Sequence, residues 1–163
     1  MDKVIIREFR TEDLPVVQDI AHGAWQPIYA VFRQMIGDEL FEQTRPDPDA
    51  KRKQIKQHAE THPEWFIVAE TADGKIAGFA TYILDEKTRT GIIGNNAVDK
   101  TCGLKGVGQA MYAELFRRFK AAGMTAAQVT TGLDDGHAPA RRAYQRAGFG
   151  EYHLDSITYY KKL

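Results

Sequence analysis

Residues 65–84, WFIVAETADGKIAGFATYIL, restrict the fold more than any other part of the chain. Two runs rich in β-branched and aromatic residues are separated by TADG, and an Asp-Gly pair suits the positive φ angles of a tight hairpin. An antiparallel pair is therefore expected here, in a chain where strands and helices otherwise take turns. KVIIREF is a β-rich run, after which Thr11 can cap a helix through EDLPVVQDIAHGAW, with Glu12 and Asp13 in its first turn. Phe32, Met35, Ile36, Leu40 and Phe41 follow at near-helical spacing, then a break at RPDPD and a charged helix that stops near Pro63. Beyond the hairpin, TGIIGNNAV reads as a strand and VGQAMYAELFRRFKAAG as a helix closed by Gly123. TAAQVTT is the next strand, APARRAYQRAG a short helix closed by Gly148, and FGEYHL and SITYYKKL the last two strands. This order predicts an α/β protein with a mixed, twisted sheet of about seven strands and helices on both faces.

Composition narrows the function. The 163 residues contain no repeat or linker and are the size of one domain, 1–163. Lys+Arg and Asp+Glu balance at 22 each, so no net field draws the chain to nucleic acid or an anionic membrane, and neither is expected as a partner. Cys102 has no second cysteine to pair with, and MDKVIIREFR has neither a signal peptide's apolar core nor the length of a span. A cytoplasmic location is the expectation. His58 and His62 are four apart, a spacing that can share a metal on a helix, but no third ligand accompanies them and Pro63 ends the segment; no metal is expected.

The segment TCGLKGVGQAMY, residues 101–112, carries the chemistry. Gly103 and Gly108 have the spacing of a nucleoside-triphosphate loop, yet Gln109 and Ala110 stand where the lysine and hydroxyl would be needed. A dinucleotide fingerprint fails too, because Met111 occupies the position that close helix packing reserves for Gly or Ala. What survives is general: glycines let backbone N–H groups approach an anion, and a helix beginning near Gly106 adds free donors and the positive end of its dipole.

Taken in order, NNAV, DKTCGLKGVGQAMYAELF, AAQVTT and HAPARRAYQRAGF resemble the GNAT acyltransferase superfamily, whose members use acetyl-CoA or a related acyl-CoA. IREFRTEDLPVV is similar to that family's first strand and helix. The resemblance implies a GNAT-type mixed sheet and a loop of the form [QR]-x-x-G-x-[GA] whose amides wrap the CoA pyrophosphate. Gly106 and Gly108 match its glycines, and the cofactor-binding stretch is then Gly103, Leu104, Lys105, Gly106, Val107 and Gly108, with Val98 and Tyr144. Gly103 replaces the usual Gln or Arg, and Lys100 stands where a proline often follows the strand. The pattern A-x-x-x-Y-x-x-x-G-F is matched by Ala140, Tyr144, Gly148 and Phe149. It implies Tyr144 as the acid that protonates the leaving thiolate, and the backbone N–H of Val98 as the oxyanion donor.

The implied reaction is direct transfer of an acetyl group to an amine acceptor in a ternary complex, with acetyl-CoA as co-substrate. Trp25, Tyr29, Asn96 and His137 are candidates for the acceptor side. Some relatives carry a glutamate on the fourth strand; GIIGNNAV offers only Asn95 and Asn96, so water or one of Asp134, Asp135 and His137 must take the proton. Two rival readings stay open: a CoA-binding module without catalytic activity, and an unrelated α/β protein whose glycines form a mere turn. Members of that family often form homodimers through a sheet edge or the C-terminal strands, and SITYYKKL could serve here, while Tyr159 and Tyr160 would be equally at home inside one subunit.

Overall fold

The structure, a computed structural model, describes residues 4–44 and 47–162. Lys3 of the expected first strand, the Arg45-Pro46 part of the expected break and Leu163 of the expected last strand lie outside the described residues. Along the chain come β1 (Ile5–Glu8), a 3-10 turn (Thr11–Asp13), α1 (Leu14–Ile36), α2 (Asp38–Thr44) and α3 (Ala50–Thr61). Then follow β2 (Phe66–Glu70), β3 (Ile76–Asp85), β4 (Thr90–Val98), α4 (Val107–Ala121), β5 (Ala126–Val129) and α5 (Ala138–Arg146).

The strands form one sheet in chain order, antiparallel from β1 to β4 and parallel between β4 and β5. Residues 65–84 make the expected antiparallel pair, but not through two positive φ angles. Only Gly74 has one (81°); its N–H bonds the Thr71 carbonyl at 2.9 Å, a type I turn closed by a bulge.

β2 and most of β3 are buried on both sides, and their alternating side chains divide the core between the two faces. Phe66, Val68 and Phe79 pack with Val17, Ala21 and Ile55 of α1 and α3. Ile67, Ala80 and Tyr82 pack with Met111, Leu115 and Phe119 of α4 and with Tyr144 of α5. Helices therefore cover both faces, as expected.

Three expectations need correction. Among the described residues the sheet has five strands, not about seven: residues 149–162 form none, and Tyr152, Leu154, Ile157 and Tyr159 are exposed. Alternating apolar residues give a segment the side-chain pattern of a strand, but a strand also needs a partner edge, and β5 is only four residues long. Thr11 does not cap α1. The Asp13 carboxylate takes the Arg10 N–H at 2.7 Å, and Arg7 grips both its oxygens at 2.8 and 2.9 Å. Finally, α1 continues past Trp25 and through Pro27, because Val17, Ala21 and Ile28 keep one face in the core and outweigh the N–H that proline lacks. Among the described residues no helix is long and apolar enough to cross a membrane.

Candidate functional site

A cleft of about 1300 Å³ opens where β4 and β5 part. The two strands pair only from Thr90↔Ala126 to Ile93↔Val129, while β4 runs on to Val98 with no paired strand on that side among the described residues. On its other side β4 stays bonded to β3, and the Asp99 N–H reaches the Ala77 carbonyl at 2.9 Å. Ladder bonds alternate along an antiparallel strand, so the Val98 N–H turns the opposite way, into the gap that β5 has left.

Within that stretch β4 carries a bulge. Ala80 pairs with Asn96 and Tyr82 with Ile93, so Gly94 and Asn95 together oppose Thr81. The extra residue changes the parity of the side chains. Ile93 and Asn96 face α4 and α5, whereas Asn95 and Ala97 face α1 and α3.

The glycine loop forms the floor of the cleft. After a 3-10 turn at Lys100–Cys102, tied by Thr101 N–H to the Asp99 carboxylate at 2.8 Å, the chain turns through positive φ at Gly103 (68°) and Gly106 (82°). A side chain at either would meet no other atom, so the backbone conformation rather than space calls for glycine. Ala110 is the first residue of α4 to bond back, to the Gly106 carbonyl at 2.9 Å. The N–H groups of Val107, Gly108 and Gln109 are thus left as free donors at the positive end of a 15-residue helix.

Across the gap, a hydrogen-bonded chain links β4 to α4 and α5. The Tyr112 hydroxyl donates to Asn96 Oδ1 at 2.9 Å, and Asn96 Nδ2 donates to the Tyr144 hydroxyl at 3.1 Å. Tyr144 is 8% exposed, and its ring packs against Tyr112 and Phe149 at 5.6 and 6.1 Å between centroids. Burial pushes the Tyr144 phenol above the ordinary tyrosine value, against the opposing pull of Asn96 and Tyr112. Tyr112 is raised further, again mainly by burial.

The loop after β5 supplies a second polar pair. His137 Nδ1 lies 2.6 Å from Asp134 Oδ2, and Arg141 holds the loop from below by donating to the carbonyls of Gly132 and Asp134 at 2.6 and 2.8 Å. Gly132 is required here, since a Cβ would come within 2.3 Å of the His137 ring. Asp134 on Nδ1 fixes the orientation of the ring and leaves Nε2 as the nitrogen turned away from the carboxylate.

Val98, Leu104, Gly106, Val107, Gly108, Asn96, Tyr144, Trp25 and His137, all expected from the sequence, line this one cleft. Gly103 shapes the loop without lining it, and Lys105 is exposed beside it. Tyr29 is not brought in: it faces a separate concavity with His22, Arg33 and Phe41. Asp135 stands exposed at the rim. His58 bonds the Trp65 carbonyl and His62 stacks on the Trp65 ring, and no group of three or more metal-ligating side chains occurs among the described residues. Sequence reasoning missed Tyr112 and Lys51. Tyr112 sits four residues after Gly108, on the face of α4 that meets the sheet, and that spacing was the available signal. Lys51 reaches the cleft from α3 by tertiary packing alone.

The sequence model of the acetyltransferase (GNAT) family matches residues 28–149, from the middle of α1 to the end of the Tyr144 segment. No curated protein matches the chain. Among solved structures, the PaiA N-acetyltransferase of Thermoplasma acidophilum in complex with coenzyme A is 18% identical, covering 94% of this chain and 93% of its own, with a TM-score of 0.71. A GNAT-family acetyltransferase of Staphylococcus aureus is 14% identical over 91% of this chain and 84% of its own, at a TM-score of 0.69. A mutant of the BH1408 protein of Bacillus halodurans is 17% identical over 96% and 99%, at 0.71. At such identities these likenesses speak for the fold, and the family match over most of the chain speaks for descent. The chain belongs to the GNAT acetyltransferase family.

Proposed function

We propose that the chain, acting as one domain, transfers an acetyl group from acetyl-CoA directly to an amine. The observation that carries this reading is the parted β4 and β5 with three kinds of donor around one gap: the free N–H groups at the start of α4, the Val98 N–H and the Tyr144 hydroxyl. The CoA-bound relative of the same fold supports the choice of cofactor.

In this reading the N–H groups of Val107, Gly108 and Gln109 hold the pyrophosphate, a doubly charged group suited to a helix N-terminus. The pantetheine arm fills the gap along β4 and brings the thioester to Val98. The amine nitrogen attacks the carbonyl carbon, and the Val98 N–H, already in position, donates a hydrogen bond to the oxyanion, a contribution of about 3 kcal/mol. His137, aligned by Asp134, takes the proton the amine must lose. As the carbon–sulfur bond breaks, Tyr144 gives its proton to the thiolate, and its raised pKa keeps that proton available.

The test is calorimetric titration with acetyl-CoA and CoA, with ATP and NAD as controls, followed by thiol release over a panel of amines. Saturable binding of the two CoA ligands and amine-dependent CoA release are expected. Binding without turnover of any amine would favour the second reading, a CoA-binding module, which Gly103 and the absence of a carboxylate on β4 motivate. No binding to a folded protein would remove both.

A further inference from the structure

We propose that Lys51 selects the acceptor: the amine acetylated by this protein carries a carboxylate, and the Lys51 ammonium binds it. The proposal rests on the acetyltransferase reading above and adds a substrate class to it.

Lys51 stands in the first turn of α3 and reaches the cleft on the sheet face opposite Tyr144. Its Nζ is 4.4 Å from the centre of the Trp25 ring, 3.2 Å from Asn95 Oδ1 and 3.0 Å from Gln54 Oε1. All three partners are neutral. The surrounding cations of α3 are balanced: Arg52 pairs with Asp19 at 2.6 Å, Lys53 with Asp47, and Lys56 with Glu60 at 3.7 Å. No carboxylate among the described residues pairs with Lys51, although it is half-buried. Burial lowers its pKa from the ordinary lysine value, as expected of an ammonium short of counter-charge. The β4 bulge is what brings Asn95 to this face, so Lys51, Trp25 and Asn95 meet where an acceptor entering between α1 and β4 would lie.

The chemistry of the wall points to one class of ligand. Ala24, Trp25, Ile28 and Val31 give it an apolar side, and Lys51 is the cation among them. The acidic groups on the opposite loop are Asp135, exposed at the rim, and Asp134, already bonded to His137. A polyamine or aminoglycoside would place a second cation against Lys51 with few carboxylates to receive it. An amine bearing a carboxylate and an apolar side chain matches all three features: carboxylate to Lys51, apolar part to Trp25, amine toward His137. Amino acids of this kind are the simplest members of the class.

Lys51→Met keeps the length of the stem over Trp25 and removes the charge; Lys51→Arg keeps the charge. Wild-type protein is assayed for CoA release with L-leucine, L-leucinamide, isoamylamine and spermidine, and each variant is titrated with acetyl-CoA. The expected result is a preference for L-leucine over its amide and its decarboxylated amine by about ten- to a hundredfold in kcat/KM, the worth of one charge-assisted bond. Lys51→Met should abolish the preference mainly through KM, Lys51→Arg should retain most of it, and acetyl-CoA affinity should not change in either. No preference in the wild type, or one that survives in Lys51→Met, overturns the proposal. Should no amine be turned over, direct titration with N-acetyl-L-leucine and N-acetyl-isoamylamine decides separately. Carboxylate-dependent binding lost in Lys51→Met upholds the Lys51 site while the transferase reading falls; absence of such binding overturns the Lys51 site.

Discussion

Replacing Tyr144 by Phe removes one oxygen from the centre of the cleft and tests the proposed acid most directly. The ring stays wedged between Tyr112 and Phe149, so packing is conserved. What is lost is the acceptor of the Asn96 Nδ2 donor at 3.1 Å, which costs about 1 kcal/mol and lowers the melting temperature by about 2–4 °C. The effect on chemistry should be much larger. General acids contribute about 10²- to 10⁴-fold, and a thiolate, with a conjugate-acid pKa of about 8.5, leaves without much help, so the low end applies. A hundredfold loss corresponds to about 2.7 kcal/mol of barrier. Single-turnover CoA release is the assay of choice, because product release can hide a slower chemical step in kcat. The acetyl-CoA affinity should stay within about twofold. A Tyr144→Phe protein that binds acetyl-CoA normally and reacts within about threefold of wild type would refute Tyr144 as the proton source. A second check lies in pH: the raised pKa keeps Tyr144 protonated, so its loss should not depress the rate below about pH 10.

Asp134→Asn leaves the His137 ring without its carboxylate and should lower kcat/KM at least tenfold at unchanged acetyl-CoA affinity; unaltered turnover would remove the pair from the proton path. Gly106→Ala places a Cβ on a backbone at φ 82°, which should cost about 1–2 kcal/mol and weaken acetyl-CoA binding in calorimetry, whereas a stable variant with full affinity would show that the loop does not shape the site. Acid should destabilise the fold through two carboxylates. Asp13 is held below its ordinary value because Arg7 and the Arg10 N–H outweigh its burial, and Glu114 is held at about 2 by Arg117 and Arg118 against its own burial. Both folded-state values lie below the unfolded ones, so the stabilisation is complete above the unfolded pKa and is lost as pH falls through the folded one. Denaturant midpoints should drop below about pH 4.5, and Asp13→Asn should flatten part of that slope.

The sequence made the hairpin, the two helix-ending glycines and the donor loop legible because each depends on local chemistry: an apolar period, a positive φ, a free N–H. Gly123 and Gly148 do close their helices at φ 78° and 100°. The tail misled for the opposite reason, since Tyr152, Leu154, Ile157 and Tyr159 have the period of a strand while pairing is decided by what lies alongside. In the cleft, Tyr144 was legible through a motif, but Asn96 became its partner only through a bulge, of which Gly94 inside GIIGNNAV was the one local signal. Lys51 was illegible altogether. It lies 44 residues from Asn95, in a helix that reads as charged and solvent-facing.

Neighbouring residues of a strand face opposite ways, and the bulge decides which way: counted from Ile93, it puts Asn96 rather than Asn95 on the α4–α5 face and leaves Asn95 to the α1–α3 face. On the proposed reading, changes at Asn95, Lys51 or Trp25 alter the acceptor while Asn96, Tyr112 and Tyr144 keep the thioester side intact. Without the extra residue Asn95 would share the face of Ile93, and Asn96 would be turned away from Tyr112 and Tyr144. The inserted residue thus sets which asparagine serves which side, and on the proposed reading a laboratory library confined to the α1–α3 side of β4 would explore new acceptors without searching again for cofactor binding.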